Sequence, residues 1–193
     1  MSIGFHVRVA RYLGDQIAAE RELSEINRVL RQAGLSAYHE PQSEPQGIYN
    51  ILGRRRRFGR AWLDHNSAST FARLGEAAHQ HLGGQTTMLP LLLDGHPLYF
   101  LPIVFSEPLP MDHPEPMYVG GPPYRRHLCS SHRTASELLA LGKFLNIPLD
   151  GQTLSDATAQ EINEGGEEFK EVWLTTFEAV RLSVAHNCAL VLG

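Results

Sequence analysis

The sequence predicts an α+β fold: a single domain over residues 1–193, with a small mixed β-sheet packed against amphipathic helices. Three observations carry that prediction. Apolar residues alternate near the start of the chain, they recur at helical spacing in several longer stretches, and two apolar runs flank Asp94-Gly95 in the middle. A chain of 193 residues, 42% hydrophobic and 20% charged, is long enough to bury one core and too apolar for global disorder.

In chain order, "SIGFHVRVA" alternates Ile3, Phe5, Val7 and Val9 with polar partners, which suits a half-buried first strand over 3–9. Ile17, Leu23, Ile26, Leu30 and Ala33 follow at helical spacing, and Gly34 supplies a stop. Residues 40–60 lack a period and carry Pro41, Pro45, Gly47, Gly53 and Gly59. They are expected to form a long loop holding at most one short strand around "IYNIL". "SASTFARLGEAAHQHLGG" is a second helix, with Phe71, Leu74, Ala78 and Leu82 on one face. "MLPLLLDGHPLYFLPIVF" reads as a hairpin turning at Asp94-Gly95, its strands pushed towards a sheet edge by Pro90, Pro97 and Pro102. Six prolines in "SEPLPMDHPEPMYVGGPPY" predict a second long loop over about 106–126, positioned to cover a cleft.

Beyond that loop, "RRHLC" fits a strand with Leu128 turned inward. "TASELLALGKFLN" fits a helix burying Leu138, Leu139, Leu141 and Leu145, and "SDATAQEIN" a shorter one. The strongest helical signal lies over 167–186, where Phe169, Val172, Trp173, Phe177, Val180 and Val184 form one apolar stripe. Asn187 can end that helix, and "CALVL" closes the chain as a short buried strand that could lie near the first.

The net charge of −4 argues against a protein whose whole surface seeks nucleic acid or anionic lipid. Fifteen of the 17 basic residues are arginine, which a coding bias explains without invoking function. Arginines interrupt the first apolar stretch, so no secretory leader is expected, and the apolar runs are too short to span a bilayer. With only Cys129 and Cys188 there is no disulfide framework. The expectation is a cytoplasmic protein with reduced thiols, no cofactor and no membrane association.

The stretch "YRRHLCSSHRTASELL", residues 124–139, supports three readings. His127, Cys129 and His132 give an H-x-C-x-x-H spacing, to which His186 and Cys188 could add metal ligands, but the adjacent arginines would repel a cation. Cys129 at a helix N-terminus beside Arg125, Arg126 and Arg133 would have a lowered pKa. Yet the four-residue spacing from Cys129 to Arg133 is too short for a phosphate-wrapping loop. The third reading needs no chemistry: Ser130 or Ser131 caps the helix, with Thr134 and Glu137 as a second capping option. The cap is the preferred reading. A small hydrolase, or a metal- or thiol-dependent enzyme using Cys129, His132 and Arg133, stays open beside it.

"RRRRFGR" holds Arg54, Arg55, Arg56, Arg57 and Arg60 around Phe58 and could contact phosphates, with the ring free to stack. On an acidic protein the same cluster suits an acidic protein partner, which is the expected partner here, with nucleic acid set aside. Asp64-His65, Asp94 with His96, and Asp112-His113 suggest catalytic dyads, but neighbours on a strand point to opposite faces. His79 and His81 fall near the solvent end of their helix. No G-x-S-x-G, P-loop or dinucleotide fingerprint occurs.

"RAWLDH", the central apolar hairpin, "YVGG" before a leucine-rich helix, and the closing "WLTTFEAVRLSVAHNCALVLG" together resemble the YfbM-like family of small bacterial proteins. The resemblance covers about half the chain and departs from the family's pattern towards the N-terminus. It implies a bacterial, cytoplasmic, mixed α/β domain of unassigned function, and it carries over no catalytic residues. The functional expectation is therefore a non-catalytic protein-binding module of the immunity or accessory type, using the loops near 40–60 and 106–126.

Overall fold

The computed structural model describes residues 5–7, 13–41, 48–50, 56–58, 61–63, 68–94, 98–116, 123–151 and 153–192. Its main sheet has five strands: β1 (Phe5–Val7), β5 (Leu98–Leu101), β6 (Leu109–Pro116), β7 (Pro123–Ser130) and β8 (Leu190–Leu192), in the order β1-β8-β5-β7-β6. A second, antiparallel sheet joins β2 (Ile48–Asn50), β3 (Arg56–Phe58) and β4 (Ala61–Leu63). Five helices complete the fold: α1 (Gln16–Gln32), α2 (Ala68–Leu82), α3 (Ser131–Phe144), α4 (Asp156–Gly165) and α5 (Glu168–His186). This is the α+β class that the sequence predicts. No helix among the described residues is long and apolar enough to cross a membrane.

The main sheet is mixed. β5 runs parallel to β7, and its other pairings are antiparallel, so the two ends of the chain meet as Phe5↔Leu192 and Val7↔Leu190. Both faces of the sheet are buried, because successive residues of β5 point to opposite sides. Leu98 and Phe100 join Phe5, Cys129, Leu190 and Leu192 in the core beneath α2, α3 and α5. Tyr99 and Leu101 join Met111, Leu128, Ala189 and Val191 beneath Ile26, Val29 and Leu30 of α1. Tyr38 fastens that second layer: its hydroxyl accepts from the Ala189 N–H at 2.6 Å, and its backbone exchanges hydrogen bonds with the Asn27 side chain.

Four expectations need correction. Residues 40–60 hold two of the three short strands of the second sheet rather than at most one. Strands of three residues place one or two side chains on each face, too few to show a period. The apolar run before Asp94 is a 3-10 helix over Leu89–Asp94 rather than a hairpin strand. Its leading backbone N–H groups are taken by the Glu137 carboxylate instead of a neighbouring strand. β5 is a central strand, because Pro97 and Pro102 bracket it rather than interrupt it.

The fourth correction concerns 106–126, where Pro110, Pro114 and Pro116 stand in β6 and Pro123 starts β7 instead of lying in a loop over a cleft, while 117–122 lie outside the described residues. β6 is an edge strand, where the N–H that a proline lacks faces away from the sheet. Pro110, Pro114 and Pro116 sit along this edge, and the ladder to β7 is irregular between Asp112 and Pro116. They also blunt the edge against pairing with other chains.

The helix predicted over 167–186 forms as α5, but its apolar surface is wider than a stripe. Nearly every residue from Val172 to Ser183 is buried, because the main sheet, α2, α3, α4 and β4 surround it. Asn187 ends it in the left-handed conformation, at φ 51°.

Candidate functional site

The junction of β7 and α3 holds the residues that the sequence singles out. Ser130 is the N-cap of α3: its Oγ accepts from the Arg133 N–H at 3.2 Å and donates to the Ile103 carbonyl at 2.7 Å. Thr134 and Glu137 do not form the alternative capping box. Thr134 Oγ1 donates back to the Ser130 carbonyl, and Glu137 reaches another segment entirely.

Cys129, His132 and Arg133 face three different surroundings. Cys129 is wholly buried in the core, where burial and then the nearby Glu137 charge push its thiol pKa upward. A thiolate nucleophile needs exposure and a lowered pKa, and this site supplies neither. Arg133 turns to Glu137 Oε1 at 3.1 Å and to the Gln85 carbonyl at 2.6 Å. His132 lines a cavity between α3 and α5. His127 shares the Cys129 face of β7. Among the described residues no group of three or more His, Cys, Asp or Glu is arranged to hold a metal ion. Cys188 is wholly buried.

Two buried charges nearby have structural partners. The 3% exposed Glu137 carboxylate accepts from the N–H groups of Thr87, Met88 and Leu89 and from Thr86 Oγ1, so it caps the 3-10 helix from the side. On the opposite sheet face, Arg126 pairs with Glu22 of α1 and donates to the Tyr99 hydroxyl at 3.0 Å. Burial pulls the Arg126 pKa down, but Glu22 and Tyr99 together more than offset this and the net shift is upward. These groups fasten elements together and face no solvent where chemistry could occur.

Of the arginine cluster, Arg54, Arg55 and Arg60 lie outside the described residues. Arg56, Arg57 and Phe58 form β3, with their backbone paired to β2 and β4. Asp64, His65 and His96 also lie outside the described residues. Asp94 ends the 3-10 helix, and Asp112 and His113 belong to β6. His79 and His81 are exposed, with His81 stacked on Phe144 at 5.1 Å.

A surface that the sequence expectation passed over is the segment from Asp150 to Glu171. This segment holds Asp150, Asp156, Glu161, Glu164, Glu167, Glu168 and Glu171 and a single basic residue, Lys170, a net −6 within a chain of −4. All but Glu171 are exposed. Along α4, Asp156, Glu161 and Glu164 share the solvent half, opposite buried Thr158, Ala159 and Ile162. Some of these carboxylates have local reasons to be there. Asp156 sits in the first turn of α4, and Glu168 and Glu171 in the first turn of α5, where helix dipoles favour negative charge. Glu168 also accepts from Thr70.

Glu161 and Glu164 have no such reason. Glu164 stands in the last turn of α4, where the dipole opposes it and no basic residue is present, and Glu161 stands just before that turn. At i and i+3 they are also a like-charge pair, about 5–6 Å apart. Their signal was present in the run "EINEGGEEFKE", which carries five acidic side chains and one lysine.

A protein-family model described as "Putative DNA-mimic protein" matches residues 1–192. No curated protein and no solved structure matches the chain. The family match overturns the expected partner, an acidic protein surface met by the arginine cluster with nucleic acid set aside. A family described as mimicking DNA implies partners that bind DNA, so nucleic-acid binding cannot be set aside in describing the partner.

Proposed function

The chain belongs to the DNA-mimic family whose model spans its residues 1–192, and from that membership we propose that it is a non-catalytic binding protein whose partner is a DNA-binding protein. The acidic face of 150–171 takes the place of the phosphate backbone. The placement of Glu161 and Glu164 carries this reading, since local stability disfavours them there and a basic partner would favour them.

The spacing supports the same conclusion. From Asp156 to Glu164 the axis of α4 advances about 12 Å, and three carboxylates are presented along it. One DNA strand presents a phosphate about every 3.4 Å of rise, so α4 carries roughly the charge of a sparse single strand. Glu167 and Glu168 follow in sequence past the left-handed turn at Gly166 and are also exposed. A partner of this kind is met where the DNA is, which supports the expectation of a cytoplasmic protein.

The test is competition. Host proteins retained on the immobilised chain should be released by duplex DNA, and raising the salt concentration should weaken their retention steeply. A chain carrying Glu161→Lys and Glu164→Lys should retain them poorly. Retention that duplex DNA cannot relieve, or that the double variant keeps in full, would sink the proposal.

A further inference from the structure

Between α3 and α5 lies a cavity of about 740 Å³ whose rim is completed by the start of α4. Its walls are mixed, with an apolar part formed by Ala135 and Leu139 on α3, Phe177 on α5 and Leu154 just before α4, and a polar part that includes His132, Ser136 and Thr153. A space of this size and character is typical of a binding pocket. The polar groups at its mouth include Asp156 and Arg181. Arg181 is already neutralised: buried Glu178 accepts from its Nε at 3.0 Å and from its Nη2 at 2.8 Å. Exposed Glu161 and Glu164 lie further along the solvent half of α4, whose start forms part of the rim.

We propose that this cavity receives an apolar side chain projecting from the basic surface of the partner, anchoring it beside the acidic row. The proposal rests on the DNA-mimic reading and adds what charge alone does not supply. Complementary charge steers encounter and register, whereas most of the affinity of an interface comes from a few apolar groups sunk into pockets. Duplex DNA has no equivalent of such a pocket. A mimic that has one would hold its partner more tightly than phosphates alone and would distinguish among basic proteins. The acidic surroundings argue for a cationic protein segment over an anionic small molecule as the occupant.

The probes are two synthetic helical peptides of equal length, both rich in arginine and lysine, one with a central tryptophan and the other with alanine there. The native chain should bind the tryptophan peptide at least about tenfold more tightly, the contribution of one modest anchor. Ala185→Trp, at an exposed position lining the cavity, should fill the space and erase that preference while leaving binding of the alanine peptide unchanged. Ala135→Phe fills it from α3 and guards against a folding defect in the first variant. The paired change Glu161→Lys and Glu164→Lys should weaken both peptides alike.

A preference that survives both filling variants, or no preference at all, overturns the anchor. If both peptides still respond to the charge changes in that case, the DNA-mimic reading stands without it. If neither peptide responds to them, that reading fails on this face. A native chain that sediments as a dimer, and as a monomer once Ala185→Trp is present, would assign the cavity to a second copy and also overturn the proposal.

Discussion

Gly142 of α3 faces the indole of Trp173 on α5 so closely that a Cβ on the glycine would stand 3.0 Å from Cζ2 of the ring. Leu149 Cδ1 would be 3.3 Å away on another side. Because the glycine lacks a side chain, α3 can approach the broadest residue of the core. The indole fills the space, stacks on Phe177 at 5.1 Å with the planes 6° apart, and donates Nε1 to the Leu138 carbonyl at 2.9 Å.

Trp173→Ala should therefore cost about 3–5 kcal/mol, from lost burial, the residual cavity and a carbonyl left without its donor. Gly142→Ala should also destabilise, by roughly 1–3 kcal/mol, because the ring it would press against is packed on both faces. Chemical denaturation of both variants checks this. A neutral Gly142→Ala would mean that α3 can move aside.

The Glu137 carboxylate organises the segment before Leu89 through three backbone N–H groups and the Thr86 hydroxyl. Glu137→Ala would leave those donors buried without an acceptor, at an expected cost of about 3 kcal/mol or more. Amide exchange at Thr87, Met88 and Leu89 should accelerate beyond the global effect. Unchanged protection there would show that the backbone finds other acceptors.

The sequence made legible those elements whose pattern is long enough to repeat. α1, α2 and α5 each run for four turns or more, so their apolar positions recur and their ends were placed within a few residues. The Ser130 cap was readable because capping is local chemistry. The strands of three residues were hidden, and so was the 3-10 helix at Leu89–Asp94, whose organiser lies 43 residues or more along the chain at Glu137. The conspicuous arginines drew attention to 54–60, whereas the acidic row required a count of charge by segment. Only the folded helix shows that Glu164 opposes a dipole.

Alkaline pH should destabilise the fold in two stages. Burial raises the pKa of Cys129 and of Tyr99, so above the unfolded values the unfolded chain binds fewer protons than the folded one. Stability is then lost as pH rises, first above about 8.5 for the thiol and again above about 10 for the phenol, at up to about 1.4 kcal/mol per pH unit for each group. Cys129→Ala should make the decline between about pH 8.5 and 10 shallower. Denaturation curves at a series of pH values test this, and an unchanged decline in the variant would acquit the thiol.

The acidic row gives the sharpest separation of stability from function. If Glu161 and Glu164 exist only as solvated surface, Glu161→Gln with Glu164→Gln should leave binding to any basic partner alone. If they stand in for phosphates, the same change should weaken binding and flatten its salt dependence, because fewer charges are neutralised on contact. Folding should respond in the opposite direction. Removing the Glu164 charge from the wrong end of the helix dipole, and the two negative charges from each other, should stabilise α4 by about 0.3–1 kcal/mol in total. The side-chain hydrogen bond from Gln160 to Glu164, at 2.8 Å, offsets little of this because it is exposed. A variant that is more stable to heat and binds a basic partner less well is the expected outcome. Lower stability with intact binding would show that these glutamates serve the fold.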